Sequence, residues 1–130
     1  MALRKTTNNR RRGHNFERDM AKLFRDIGYT YTKTSRQASR LLDESKVDLW
    51  GLPFCIQCKE GAQKNLVYSK VLSEMRELLA NNFPPEEPVH SYPKIVIHKK
   101  VPFGKRRQPE DTLVVMPLLD FVNLLTKKDD

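Results

Sequence analysis

The apolar residues Phe16, Met20, Leu23, Phe24 and Ile27 recur at the spacing of one helical face. Asn15 is placed to cap the start of that helix and Gly28 follows its end. Tyr29 to Thr34, rich in aromatic and β-branched side chains, predicts a strand. The polar stretch Ser35 to Ser45 has few strand formers and suggests a mobile loop. Val47 to Trp50 and Phe54 to Lys59 are short apolar runs on either side of Gly51-Leu52-Pro53, a pattern that predicts two strands of one hairpin.

A second amphipathic helix is written in Tyr68, Val71, Leu72, Met75, Leu78 and Leu79 and should end near Asn81-Asn82, before Pro84-Pro85. Tyr92 to His98 and Thr112 to Met116 predict two further strands joined by a basic loop, Lys99 to Asp111. Pro117 is suited to open a last short helix through Leu118, Phe121, Val122 and Leu125. The resulting order, αβββαββα, predicts an α/β domain whose mixed sheet is flanked by helices.

Composition sharpens this picture at the amino terminus. Residues 1 to 13 carry Arg10, Arg11 and Arg12 with almost no apolar side chains, which suggests a basic flexible arm ahead of one domain spanning residues 14 to 127. Of the formal charge of +8, all is accounted for by residues 1 to 40, with eleven Lys/Arg against three Asp/Glu; the remainder balances at thirteen against thirteen. A basic segment beside a neutral domain suits a polyphosphate partner, with a solubilising tail as the alternative. A basic membrane helix would need an apolar face, which Arg4 to Gly13 lacks, and no run is long enough to span a bilayer, so an intracellular, cytoplasmic protein without membrane attachment is expected. Cys55 and Cys58 would then remain thiols. Their CxxC spacing does not suit zinc in a strand, where residues three apart point to opposite faces.

Candidate chemistry is concentrated in two segments, Val47-Asp48-Leu49 and Ile56-Gln57-Cys58-Lys59. Strand alternation puts Gln57 and Lys59 on one face and Ile56 and Cys58 on the other, and a hairpin would bring Asp48 beside the polar pair. Such a cluster is costly to bury without a partner. Asp48 offers an anionic oxygen, Gln57 an amide oxygen and Cys58 a backbone carbonyl, a set suited to magnesium (Mg2+) or manganese (Mn2+) with retained waters. Lys59 would orient and polarise the attacking water. Glu17, at the margin of the first helix's apolar stripe, could supply a second acid. The alternatives are a partly buried Asp48–Lys59 salt bridge and an ordinary glutamate near a helix start. In the polar stretch, Arg36, Arg40 and Asp43 are open candidates for contacts to phosphate or metal. Lys105-Arg106-Arg107 is a candidate phosphate contact on its loop.

Together, Gly13-His14-Asn15-Phe16-Glu17-Arg18, Gly28-Tyr29 with Lys33, Val47-Asp48 and Ile56-Gln57-Cys58-Lys59 resemble the archaeal-type Holliday junction resolvases, within the PD-(D/E)XK or restriction-endonuclease-like nucleases. The resemblance covers roughly residues 10 to 61. It implies a restriction-endonuclease-like fold, a metal-dependent endonuclease with Glu17, Asp48, Gln57 and Lys59 at its centre, and a homodimer acting on four-way DNA junctions. Arg18, Lys33 and Arg36 would join Arg10, Arg11 and Arg12 in contacting DNA. Two departures stand out: Gln57 replaces the family's usual glutamate, and Lys33 stands where arginine is usual. A sequence-specific or recombination-associated endonuclease, and a DNA-binding module with a decayed site, are the alternative expectations.

Overall fold

The computed structural model describes residues 2–62, 65–100 and 111–126, with side chains from Arg10 onward. The elements are α1 (Ala2–Asp26), β1 (Lys33–Thr34), α2 (Ser35–Ala38), α3 (Arg40–Glu44), β2 (Leu49–Trp50), β3 (Cys55–Glu60), α4 (Tyr68–Asn82), a 3-10 turn (Pro88–Ser91), β4 (Lys94–Lys99), β5 (Thr112–Val115) and α5 (Leu118–Thr126). Apart from the short α2 and α3, this is the order expected from the sequence. The fold is α/β, with a mixed three-stranded sheet and a two-stranded antiparallel ladder. No described helix is long and apolar enough to cross a membrane.

The sheet runs β3-β4-β5, with β3 parallel to β4 and β4 antiparallel to β5. Cys55 is opposite Lys94, Gln57 opposite Val96 and Lys59 opposite His98. Because side chains alternate along a strand, the two faces have different cores. Ile56, Ile95 and Ile97 pack with Phe16 and Ala21 of α1 and with Leu49 and Leu52. On the other face Cys55 packs with Met75 and Leu79 of α4 and with Val47. The chain from β3 through α4 to β4 is therefore a βαβ unit, the connection that parallel neighbours require.

Several local expectations give way to this arrangement. Where the sequence suggests an arm and a helix opening at Asn15, the backbone is helical from Ala2. Residues 2 to 12 include good helix formers and no proline, and the single Gly13 costs only about 1 kcal/mol relative to alanine. Asn15 is thus inside the helix, where its Oδ1 accepts from Arg18 at 2.6 Å. The expected strand from Tyr29 shrinks to Lys33–Thr34. Its first half turns instead, with Thr32 N–H and hydroxyl both donating to the Tyr29 carbonyl. The expected loop at Ser35 to Ser45 is two short helices. Ser39 caps the second through Oγ, which accepts from Leu42 N at 3.3 Å.

The hairpin expected between β2 and β3 is replaced by different pairings. β2 pairs antiparallel with β1, Lys33 opposite Trp50 and Thr34 opposite Leu49, and β3 takes β4 as its sheet neighbour. Gly51 explains part of the change. Its φ of +90° favours glycine, and a Cβ there would come within 3.1 Å of the Tyr31 carbonyl oxygen. The chain at Gly51 is pressed against the residues leading into β1, so β2 is committed to that side.

Two buried polar groups hold the ends of the sheet. The Lys94 ammonium donates to the carbonyls of Val89, His90 and Tyr92 at 3.2, 2.8 and 2.7 Å, tying the 3-10 turn to the start of β4. His98, 1% exposed, links three elements. Its Nδ1 meets the Tyr68 hydroxyl at 2.7 Å and its Nε2 meets the Gly61 carbonyl at 2.7 Å. A carbonyl only accepts, so Nε2 carries the proton and Nδ1 accepts from the tyrosine. Removing that hydroxyl leaves a buried imidazole nitrogen unpaired. Tyr68→Phe should lose about 1 to 3 kcal/mol of stability, read as a lower midpoint in urea denaturation. An unchanged midpoint would show that the hydroxyl contributes nothing there.

Candidate functional site

Asp48 is placed by its backbone before its side chain acts. Its N–H donates to the Ile56 carbonyl at 2.7 Å and its own carbonyl accepts from Ser35 N at 2.8 Å. The carboxylate Oδ2 then accepts from Cys58 N at 2.7 Å. Ile56 and Cys58, two apart, present their backbone groups to the same edge of β3, the one not occupied by β4. Asp48 lies along that edge, and the Cys58 carbonyl is turned toward it. The proximity expected from a hairpin is present, although no hairpin makes it.

From the other side, α1 brings Glu17 to the same place. Its side chain is 14% exposed and meets Arg36 Nε at 3.3 Å. Arg36 follows Ser35, whose amide is bound to Asp48, so α2 is anchored where its first basic residue reaches Glu17. Burial raises the Glu17 pKa and the Arg36 guanidinium opposes the rise. For Asp48, burial is again the first cause, Glu17 and Asp43 push further, and the Cys58 amide and Lys59 pull back; its pKa is raised from an ordinary 3.8 to about 7. The Cys58 thiol, on the α1 face, is pushed well up by burial, Asp48 and Glu17. A low-pKa thiolate nucleophile is therefore not what this cysteine offers.

Gln57 and Lys59 share the α4 side of β3, in the alternation expected. Gln57 is buried, and its Oε1 has no hydrogen-bond partner among the described residues; the same is true of Ser35 Oγ beside Asp48. A buried amide oxygen without a donor is costly, and it is an acceptor available to a cation. Among the described residues, no three His, Cys, Asp or Glu side chains form a ready cage for a metal. A divalent ion beside Asp48 would draw on the carboxylates of Asp48 and Glu17, the Cys58 carbonyl and water, and the Gln57 amide oxygen would have to reach it around the edge of β3 from the α4 side. Hard oxygen donors with retained waters fit magnesium, and a cation would offset the burial and the repulsion from Glu17 that together raise Asp48.

Beyond this cluster the end of β3 opens into a cavity of about 560 Å³ lined by Arg12, Gly13, Cys58, Lys59, Glu60, Gly61 and Ala62. It lies at the carboxyl end of a parallel strand, the common location for ligands in open α/β sheets. Arg12 reaches it from α1 and lies 3.9 Å from Glu60. Arg10, Arg11 and Arg18 are exposed on the same helix. Lys33 is exposed on β1.

Of the three candidates in the polar stretch, the structure separates the roles. Asp43 adds negative charge at Asp48, Arg36 pairs with Glu17, and Arg40 is turned to Glu44 on its own helix at 3.0 Å. Ser35 was not signalled by the sequence, since a serine before a short polar helix carries no pattern of its own. Lys105, Arg106 and Arg107 lie outside the described residues. Comparisons with family models, with curated proteins and with solved structures return no match.

The raised Asp48 pKa has a consequence for stability. The folded carboxyl holds its proton to about pH 7, whereas an unfolded one releases it near 3.8. Folded chains thus bind the extra proton between those values, and stability falls as pH rises through that window. Asp48→Asn keeps an oxygen for the Cys58 amide and removes the titration. It should be more stable than the native chain at about pH 8, by on the order of 1 to 3 kcal/mol, with the difference vanishing near pH 4. Thermal denaturation across that range checks this. Parallel pH profiles for the two proteins would show that the carboxyl is well solvated.

Proposed function

We propose that this chain is a divalent-metal-dependent DNA endonuclease of the PD-(D/E)XK class, with Glu17, Asp48, Gln57 and Lys59 as its centre. The observation that carries the reading is the partly buried Asp48 carboxylate. It is held by the Cys58 amide at the edge of β3, with Glu17 beside it and the unpartnered Gln57 oxygen on the same strand. Two partly buried like charges at one strand edge suit a cation better than they suit a structural salt bridge. The element order and the α1 and α4 layers on a mixed sheet are compatible with the restriction-endonuclease-like fold that the resemblance implies.

A bound magnesium or manganese ion would supply Lewis-acid polarisation of a phosphoryl oxygen and a water of lowered pKa. The chain's own residues do the rest. Asp48 and Glu17 provide anionic oxygens on a fixed strand edge and helix. Lys59, two residues beyond Gln57 and lining the cavity, would orient the attacking water and balance charge developing at phosphorus. Arg12, on the cavity wall, and Arg10 and Arg11 on the exposed helix are suited to phosphate oxygens, whose recognition carries position but no sequence information. Arg18, Lys33 and Arg36 are further candidates for the same contacts. Arg36 would have to trade Glu17 for phosphate when an ion takes the carboxylate.

The test is incubation with labelled four-way, three-way and linear duplex DNA, with and without magnesium. Magnesium-dependent paired nicks in the four-way substrate support a junction resolvase. Cutting of linear duplex at a fixed base sequence favours a sequence-specific endonuclease, and binding without cleavage favours a module with a decayed site. Asp48→Ala and Lys59→Ala should each lower cleavage at least about a thousandfold, roughly 4 kcal/mol at the transition state, with DNA binding within a few-fold. Retained cleavage in either would remove the assigned centre. Glu17→Ala should reduce cleavage as well.

Gln57 gives a separate handle. Gln57→Glu adds an anionic ligand where the resembled family carries one, so cleavage should persist at magnesium concentrations several-fold below those the native chain needs. If the magnesium dependence is unmoved, Gln57 does not face the ion.

A further inference from the structure

We infer that the cavity beside Trp50 receives an unpaired nucleobase of the DNA, with Lys33 at its rim on the adjoining phosphate. The inference rests on DNA being the ligand, and it names the feature of the substrate that the chain engages. Trp50 follows Asp48 by two residues, no more than about 7 Å along the chain. In the ladder of β1 and β2 the buried pair is Thr34 and Leu49, so the adjoining pair, Lys33 and Trp50, turns outward. Side chains of such a pair start about 5 Å apart. A ring and a cation therefore stand together a short step from the carboxylate of the proposed centre.

Trp50 forms one wall of a cavity of about 590 Å³, within the roughly 300 to 1,000 Å³ usual for small-ligand sites. Phe83 and Tyr92 form other walls, with Pro53 and Pro88. Rings and prolines offer flat apolar surfaces, which suit the face of a base. Among the described residues that line the cavity, Glu87 alone is charged. Its carboxylate repels phosphate and can accept from the amino group of a base. Outside, Lys33 has no ion-pair partner among the described residues. Charge thus orders the ligand, with the base inward and the phosphodiester outward. Paired bases are stacked inside a duplex and hide their faces, so the cavity selects a strand with an unpaired base. A proline-rich peptide would also suit aromatic walls, but it brings no phosphate to Lys33, and the net charge of +8 favours a polyanion.

Trp50 is the only tryptophan of the chain, so its fluorescence reports on this wall alone. Titrating the full chain with a short oligodeoxycytidylate in EDTA should quench that emission to saturation. Inorganic polyphosphate, which has the charge and no bases, should leave it unquenched. By anisotropy of a labelled oligonucleotide, Trp50→Ala should bind the single strand about tenfold more weakly. Its binding of linear duplex should stay within a few-fold of the native chain, and Trp50→Phe should recover most of the loss. Should the alanine variant fail to fold by circular dichroism, the native titration and Trp50→Phe decide. An emission unmoved by the oligonucleotide, equal quenching by polyphosphate, or native affinity in Trp50→Ala would overturn the inference. Quenching by a proline-rich peptide in place of the oligonucleotide would overturn it too, assigning the cavity to a protein partner. Without a divalent ion the two readings separate. Quenching in a chain that never cleaves removes the nuclease reading alone, and magnesium-dependent cleavage without quenching removes this inference alone.

Discussion

Asp48 is where the two sheets are joined, and most of the site's geometry follows from it. One residue makes three bonds to three others: N–H to Ile56, carbonyl to Ser35, carboxylate to Cys58. The first and third align it along β3, and the second fixes the start of α2. Because α2 is held there, Arg36 reaches Glu17. Since Glu17 is delivered by the same helix that packs Phe16 and Ala21 on the sheet, core packing and site assembly use one set of contacts. A substitution that shifted α1 would move an acid as well as a hydrophobic layer.

The charge distribution makes sense on the same terms. A chain with a large cationic excess places its carboxylates Glu17, Asp43 and Asp48 within mutual electrostatic range and keeps them partly out of water. Exposed acids in a basic protein would be drawn to its lysines and arginines. Burial on a strand edge keeps Asp48 from collapsing onto them, at the cost of a carboxyl that ionises reluctantly. Arg36 offsets part of that cost at Glu17, and Lys59 offsets part of it at Asp48.

Much of this was readable from the residues. The helices at Phe16 to Ile27 and Tyr68 to Asn82 and the strands holding Gln57, Lys59 and His98 have periodicities strong enough to announce themselves, and Asp48 and Glu17 stood out as polar residues in apolar surroundings. What failed to show was long-range pairing. Gly51-Leu52-Pro53 resembles a hairpin turn, but the approach of Tyr31 to Gly51 and the parallel partner of β3 depend on contacts distant in sequence. The helices at Ser35 to Glu44 were hidden for the opposite reason. They are one turn long, and their ends are held by Asp48 and a serine cap rather than by any apolar stripe. Continuation of α1 back to Ala2 depends on helix propensity in a charged segment, which a search for amphipathic stripes passes over.

The parallel pairing of β3 with β4 also bears on the order in which the molecule can assemble. Cys55 and Lys94 are opposite one another although α4 lies between them in the chain, whereas the Asp48 carboxylate and the Cys58 amide are only ten residues apart. Closing the shorter loop costs less chain entropy, by about 1 kcal/mol on a flexible-chain scale. Contacts of low sequence separation also form sooner in a folding chain. The clasp around Asp48 is thus accessible before α4 has docked, and its hold on one edge of β3 leaves the opposite edge open for β4. An Asp48 carboxylate clasped this early presents its negative charge to solvent until α1 brings Glu17 up to it, so the folding rate should respond to salt and to divalent cations in a way that the rest of the core does not.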